Sequence, residues 1–235
     1  MRPASVARKT HKWLALLIGI QALIWAISGL YMVAVPLEII HGDHFAHPHG
    51  APSPLALDKV QVNINQVRQA YGDVRAVRLK MVLDEPYYVV EHRGGVTLVN
   101  AVTGAERAPL SDAEAARLAR TLYTGKAEVS AVSLLTDVPS EIRGRAVPVW
   151  QVRFEGWNDH TLYISPVTGD LLARRHNLWR TFDFVWMFHI MDYVEREDVN
   201  NPLVRVATVA ASIVMLSGVW LLFYSFRRRR AAAAR

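Results

Sequence analysis

The chain has 235 residues, 51% of them hydrophobic, with 27 Lys and Arg, 21 Asp and Glu, and no cysteine. This length allows one sizeable domain or a smaller domain with membrane anchors. The lack of cysteine excludes disulfides, thiolate metal sites, Cys-ligated iron–sulfur clusters and covalently attached c-type haem. Any redox cofactor would therefore depend on His, Met, Tyr or carboxylate ligands.

Two long apolar runs predict transmembrane helices at residues 13–35 and 202–226. The first reads WLALLIGIQALIWAISGLYMVAV and the second contains VATVAASIVMLSGVWLLFYSF, and neither of these stretches carries a charged residue. Each reaches the roughly 20 residues that a helix needs to cross the hydrocarbon layer. The first is longer than the core of a signal peptide and is followed by Pro36, Leu37 and Glu38, so we expect an uncleaved signal anchor.

The basic residues near the two ends predict the orientation. Four precede the first run and five follow the second, and no acidic residue accompanies either group. The positive-inside rule then places the N-terminal tip (residues 1–12) and the tail (residues 227–235) in the cytoplasm, and the intervening domain on the other side of the membrane. Residues 36–202 hold 17 basic and 21 acidic residues, a formal charge of 17 − 21 = −4. This balance argues against a nucleic-acid partner, and the basic tips suit anionic lipid headgroups.

Between the two runs the sequence predicts a linker and two repeats. Residues 36–58 form a histidine-rich juxtamembrane loop and linker, and residues 59–110 and 111–176 each predict a helix followed by antiparallel strands. The segments TLVNAVTGAERA and TLYISPVTGDLLA occupy matching places in the two repeats. Ser111 and Glu114 have the spacing of a capping box at the start of the second helix. The pattern therefore indicates an internal duplication.

Residues 177–201 predict an amphipathic helix and a connector. We expect the helix to lie at the membrane surface opposite the cytoplasm. The segment HNLWRTFDFVWMFHIMDY is rich in aromatic residues, which favour the headgroup region. Asn201 has the place of an N-cap, and Pro202 that of the first helical residue. His189 and Asp192 are three positions apart, so a continuous helix would make them neighbours and the carboxylate would orient the imidazole.

A short helix followed by strands with a V-x-x-x-T-G hairpin resembles the PepSY domain. Two copies framed by membrane helices resemble the PepSY-associated transmembrane family. The segments RKTHKWLALLIGIQALIWAISG and HNLWRTFDFVWMFHIMDY resemble that family's first helix and second juxtamembrane region, so the resemblance covers nearly the whole chain. It implies an α+β membrane protein in which two transmembrane helices flank a periplasmic tandem of small helix-on-antiparallel-sheet units.

The resemblance also implies a redox role. Some members with more membrane helices are similar to ferric-siderophore reductases that carry b-type haem. By this resemblance the chain would bind haem b and pass electrons from a membrane donor to a periplasmic acceptor such as a ferric chelate, as a homodimer or with a partner redox subunit. The chain departs from those members because it has only two predicted membrane helices and no flavin module. Whether it is itself an enzyme, a membrane oxidoreductase, stays open.

Five histidines are candidate haem ligands, namely His11, His41, His44, His176 and His189. A haem at the cytoplasmic edge would need His11 from two chains or a ligand from another subunit. A haem at the outer edge could form within one chain from His189 with His41 or His44. A two-fold homodimer would supply every ligand twice. The alternative for His11 is a residue of the membrane interface with no ligand role.

The stretch HGDHFAHPHG at residues 41–50 supports a separate hypothesis. Its four histidines are His41, His44, His47 and His49. Their spacings can converge on a metal ion, and neutral imidazoles suit Zn or Cu. The same stretch contains two glycines and a proline, as a solvated loop does. The sequence leaves both interpretations open.

The chain shows no fingerprint of a common hydrolase or nucleotide-binding fold. Ser-His-Asp, HExxH, P-loop and GxGxxG patterns are absent. Three functions therefore remain. The first is a b-haem electron-transfer component or accessory subunit linked to ferric chelate reduction. The second is a non-catalytic periplasmic module that binds a peptide or protein, or regulates one, through its sheet edges. The third is metal capture by the histidine-rich loop alone.

Overall fold

The computed structural model describes residues 3–47, 55 and 57–233, and the chain divides into two compact units. The helical unit consists of Met1–Pro36 and Thr181–Arg235, and the sheet domain of Leu37–Arg180.

The helical unit is built on two long helices that pack against each other, α1 (Pro3–Ala34) and α6 (Pro202–Ala233). Their segments Arg8–Ala34 and Pro202–Phe223 are long and apolar enough to cross a membrane. Large apolar side chains point outward along both helices. An apolar surface of this extent is typical of a membrane-facing helix and rare on a soluble protein.

The helical unit also contains most of α5 (Asn177–Ile190), the helix predicted from the aromatic segment. Its last turn packs on α1. The predicted cap of α6 is confirmed, because the Val204 N–H donates to Asn201 Oδ1 at 2.9 Å. The Asn201 side-chain amide also donates to the Ile190 carbonyl at 2.8 Å, which ties the end of α5 to the start of α6.

The first repeat of the sheet domain is a three-stranded antiparallel sheet with one short helix. A five-residue helix, α2 (Leu37–His41), precedes it. The repeat then runs through α3 (Ile64–Tyr71), β1 (Val74–Val82), β2 (Glu85–His92) and β3 (Gly95–Asn100). The strands pair in the order β1-β2-β3. Val67 of α3 packs with Tyr88, Val90 and Val99 of the sheet to form a small core.

The second repeat is larger, with four antiparallel strands and a longer helix. It runs through α4 (Asp112–Leu122), β4 (Val129–Leu135), β5 (Val149–Phe154), β6 (Thr161–Ile164) and β7 (Leu171–Arg175). The strands pair in the order β4-β5-β6-β7. One face of α4 packs on this sheet and buries the side chains Leu118, Leu122, Trp150, Phe154 and Ile164. The predicted capping box is confirmed, with the Ser111 N–H donating to the Glu114 carboxylate at 2.9 Å and the Glu114 N–H to Ser111 Oγ at 3.3 Å.

The two repeats meet at the Val-Thr-Gly turn between β6 and β7. Lys80 of β1 binds the Asp170 carboxylate and donates to the Thr168 carbonyl at 2.9 Å. Gly169 has a φ of +66°, and a β-carbon there would lie 3.0 Å from Leu118 Cδ2. Glycine is therefore required here both by backbone conformation and by the close approach of α4. The prediction of an α+β chain with two apolar helices and two antiparallel sheets is confirmed.

Candidate functional site

His189 lies in the last turn of α5 and contacts α1. Its Nδ1 is 2.8 Å from Ser28 Oγ, and its backbone carbonyl accepts from the Trp25 indole N–H at 2.8 Å. One turn nearer the N-terminus of α1, the Gln21 amide donates to the Phe188 carbonyl at 3.3 Å. Gln21, Trp25 and Ser28 recur at the helical spacing of four and three, so they form one face of α1 that receives the end of α5.

His11 forms a similar contact at the other end of the helix pair. Its Nδ1 is 2.8 Å from Ser217 Oγ on α6. A β-carbon at Gly218 would lie 3.2 Å from His11 Cε1, so the glycine makes room for the imidazole. At the first site Gly29 also lies beside the ring, but with more space, because a β-carbon on it would be in ordinary contact with His189 Cε1 at 3.8 Å. Each long helix therefore receives a histidine at a Ser-Gly pair.

The hydrogen bonds of the two serines are compatible with one and the same tautomer in both rings. Each serine hydroxyl donates to a carbonyl of its own helix, Ser28 to Ile24 at 2.7 Å and Ser217 to Val214 at 2.8 Å. When the hydroxyl donates to this carbonyl, its oxygen accepts from the ring, and the imidazole proton lies on Nδ1. Among the described residues neither Nε2 has a hydrogen-bond partner. This is the arrangement of a metal-ligating histidine, which donates one ring N–H to a fixed group and keeps the other nitrogen for the metal.

The two histidines lie at different levels of the helix pair. His11 and Ser28 are both on α1 and are 28 − 11 = 17 positions apart. At a rise of about 1.5 Å per residue, this separates the two Ser-Gly sites by about 26 Å. If α1 and α6 cross a bilayer, one site therefore lies towards each face of the membrane.

The predicted pairing of His189 with Asp192 does not form. The helix α5 ends at Ile190, and Met191 has a φ of +56°, so the chain turns away before the carboxylate. The Asp192 carboxylate instead accepts four backbone N–H groups of the following turn, from Val194, Glu195, Glu197 and Asp198. These bonds, the one from Asp198 above all, lower the pKa of Asp192 to about 2. Its place as partner of the imidazole is taken by Ser28.

The sheet domain brings together three other histidines, His44, His160 and His176. Their ring centroids are 5.7 to 6.4 Å apart in pairs. Phe45 stacks on His160 at 4.2 Å and meets His176 edge-on at 5.2 Å. His44 and His176 are candidates from the sequence, whereas His160 is not. It stands alone between two strands, and no local pattern links it to the others.

His176 is part of the core. Its side chain is fully buried, and its Nε2 donates to the carbonyls of Ile39 at 3.0 Å and Ile40 at 3.2 Å. Its Nδ1 has no hydrogen-bond partner in the described part of the chain. Burial lowers the pKa of His176, since the charged ring would lose its hydration.

His160 is held through both ring nitrogens. Its Nδ1 is 2.8 Å from the Tyr123 hydroxyl, and its Nε2 is 2.9 Å from the Asn158 amide nitrogen. Burial lowers its pKa, and the neighbouring His44 lowers it further. Neither nitrogen is therefore available to a ligand without the loss of a hydrogen bond.

The histidine-rich stretch is anchored to the sheet domain over its described part. The His47 N–H donates to the Leu122 carbonyl at 3.1 Å, and the Thr124 N–H to the Phe45 carbonyl at 2.9 Å. His41 ends the short helix α2. No group of three or more His, Asp or Glu side chains among the described residues has the arrangement of a metal site. His49 lies outside those residues, so the metal site predicted from all four histidines stays a prediction.

Comparison with known families gives one match. The sequence matches the family described as the PepSY-associated TM region over residues 8–235. The chain belongs to this family. The expected family is thereby confirmed, and together with the two apolar helices it identifies a membrane protein. No curated protein and no solved structure shows a match to the chain.

Proposed function

We propose that this PepSY protein is a b-haem electron-transfer component of the bacterial inner membrane, with both termini in the cytoplasm and the sheet domain in the periplasm. The observation that carries the proposal is the repeated contact of a histidine with a Ser-Gly pair. At both places Nδ1 is held by a serine hydroxyl and Nε2 has no partner in the described residues. Packing alone does not require a histidine at either position, since an apolar side chain would fill the same space.

The donor set fits a b-type haem in its chemistry and in its surroundings. An imidazole that donates its Nδ1–H to a neighbouring group is the usual ligand of such a haem, and apolar helices provide surroundings of low dielectric constant. His189 is also flanked by the Trp186 ring, which lies nearly parallel to it with centroids 6.3 Å apart. When bound, haem supplies one-electron redox chemistry. The residues of this chain would hold it, orient it and exclude water.

A second chain is needed to complete the ligands of each haem. A low-spin b-haem takes two axial ligands, and in the helical unit the two histidines are about 26 Å apart along the helix pair. A single chain therefore offers one ligand at each level. A two-fold homodimer would pair His11 with its copy at one level and His189 with its copy at the other. Two ligands from each chain and two for each haem predict one haem per chain.

The experiment is a haem count on the protein purified in detergent after expression with ample haem. We expect a Soret band that shifts on reduction with dithionite, sharp visible bands typical of six-coordinate haem, and about one haem per chain by the pyridine haemochromogen assay. His92→Ala is a matched control, because His92 lies on β2 and contacts Thr97 far from either Ser-Gly pair in sequence. A protein without haem under these conditions would contradict the proposal.

A further inference from the structure

We propose that three side-chain donors at the end of α5 are positioning residues for the haem ligand His189. Each donates to one of three consecutive backbone carbonyls, Gln21 to Phe188 at 3.3 Å, Trp25 to His189 at 2.8 Å and Asn201 to Ile190 at 2.8 Å. We call these three donors the carbonyl clamp. The inference rests on the proposed function, because it concerns a ligand of the proposed haem.

The end of α5 requires donors from elsewhere in the chain. The last four carbonyls of a helix have no partner within that helix. The chain leaves α5 at Met191 with a φ of +56°, and no backbone N–H in the described chain donates to the carbonyls of residues 188–190. An unpaired carbonyl is costly in apolar surroundings, so the clamp determines where the last turn of α5 lies.

His189 is held by one helix at both its backbone and its ring. Trp25 binds its carbonyl, and Ser28 Oγ lies 2.8 Å from its Nδ1. Trp25 and Ser28 are three positions apart in α1, so they lie on the same face. The serine alone would leave the position of the ring dependent on a loose helix end. Together the two contacts fix both the position and the direction of the imidazole.

His11 has no corresponding clamp. It lies within α1, 11 − 3 = 8 positions after the first helical residue, so its backbone carbonyl is bonded inside the helix. Its ring contacts Ser217, but its backbone needs no side-chain donor. Loss of a clamp donor should therefore affect the haem at the level of His189 and leave the haem at the level of His11 unchanged.

The main test is Trp25→Phe, which removes the indole N–H and keeps an aromatic side chain. Haem is titrated into the full chain in nanodiscs in two backgrounds, His11→Ala, which retains the site of His189, and His189→Ala, which retains the site of His11. We expect Trp25→Phe to lower the haem affinity about tenfold in the first background and to leave it unchanged in the second. A similar fall in both would show a general disturbance of the helix pair and overturn the assignment.

A spectroscopic readout separates positioning from stability. The electron paramagnetic resonance g values of a low-spin ferric haem depend on the angle between the planes of its two imidazole ligands. In the His11→Ala background, Trp25→Phe should therefore change the g values and shift the reduction potential of the bound haem. If both stay unchanged at full haem load, Trp25 only stabilises the helix end and the proposal is wrong.

Asn201 offers a variant that changes the donor alone. Asn201→Asp keeps the oxygen that accepts from the Val204 N–H at 2.9 Å and removes the amide that donates to Ile190. Aspartate and asparagine are equally good N-caps, so α6 should begin at the same residue while the haem affinity at the level of His189 falls. The matched control is Asn63→Asp at the cap of α3, which should leave haem affinity unchanged. Equal haem affinity of Asn201→Asp and the parent would contradict the proposal.

These outcomes separate the carbonyl clamp from the proposed function. A parent protein that binds no haem contradicts both. A parent protein that binds haem, with the same affinity, g values and potential after Trp25→Phe, contradicts the clamp alone and leaves the electron-transfer proposal standing.

Discussion

The histidines of the helical unit and those of the sheet domain differ in which ring nitrogen the protein uses. His11 and His189 are held through Nδ1 by a serine on a neighbouring helix, and their Nε2 atoms have no described partner. His176 is held through Nε2 inside a core, and His160 through both nitrogens. The first arrangement leaves one ring nitrogen open. The second uses the ring to fill space and to satisfy backbone or side-chain groups.

Removal of the two helical-unit histidines has the largest expected effect. His11→Ala and His189→Ala should each abolish one of the two haem sites, so that each variant retains about half of the haem per chain. The double variant should show no Soret band, because neither level of the helix pair then has a ligand. The measurement is the haem count for each variant, with membrane insertion checked by fractionation. Full haem content in the double variant would remove both histidines from the ligand set.

The sequence predicts the candidates but not their partners. His11 and His189 follow from the resemblance, and the apolar helices, the sheets and the caps at Ser111 and Asn201 follow from local patterns. The serine partners are 206 and 161 positions away, respectively, and a serine in an apolar run predicts only close helix packing. His160 escapes prediction for the same reason, since only the tertiary fold brings it to His44 and His176.

The helix end at Ile190 shows where local reasoning fails. The spacing of His189 and Asp192 predicts contact only if the helix continues through Asp192, two residues beyond its observed end. The following acidic residues and Asn201 favour a turn in which Asp192 caps backbone N–H groups, so the helix stops first. A carboxylate with four N–H donors within its own turn gains more from them than from one imidazole.

Replacement of a sheet-domain histidine tests whether this group serves stability and has no part in haem binding. His176→Ala removes a fully buried side chain and the ring N–H that donates to the Ile39 and Ile40 carbonyls, of which only that of Ile39 has a second donor in the described chain, the Gly42 N–H. It should therefore destabilise the sheet domain by about 2–4 kcal/mol. The haem content should not change. Hydrogen exchange of β6 and β7 measures the loss, with the exposed His41→Ala as control. If the His176→Ala protein loses haem while the amides of β6 and β7 stay protected from exchange, the sheet-domain histidines also take part in haem binding. The proposed difference between them and the helical-unit histidines would then be wrong.

The serines should have a smaller effect than the histidines that they hold. Ser28→Ala and Ser217→Ala leave each imidazole in place but remove the group that fixes its tautomer. We expect haem affinity at the affected level to fall about tenfold and the reduction potential to change. Ser28→Thr and Ser217→Thr retain the hydroxyl and serve as controls. Haem titration and a redox titration give the readouts, and an alanine variant that matches the parent in both would show that the serine contact is only packing.

The smallest expected effect is the pH dependence of the sheet domain. The pKa values of His160 and His176 are lowered by burial, so the folded state binds fewer protons than the unfolded state below the unfolded pKa of about 6.5. The contribution of these two histidines to the free energy of unfolding is therefore fully present above a pH of about 6.5. It is lost as the pH falls from that value towards their pKa values in the folded state. The lowered pKa values of Glu114 and Asp170 act in a more acidic range, below the ordinary values of 4.5 and 3.8 for these carboxyl groups.

The interval between about pH 6.5 and 5 therefore reports on the buried histidines rather than on the carboxylates. Thermal unfolding followed by near-ultraviolet circular dichroism should show a falling midpoint across this interval. His160→Gln keeps a polar group beside Tyr123 but does not titrate, so its midpoint should fall less steeply than that of the parent. His11→Ala should retain the parent slope, because that ring lies in the helical unit. If the His160→Gln and parent slopes agree, the burial of a neutral His160 contributes nothing to the pH dependence of stability. The difference between His160 and the helical-unit histidines would then consist of their hydrogen bonds alone.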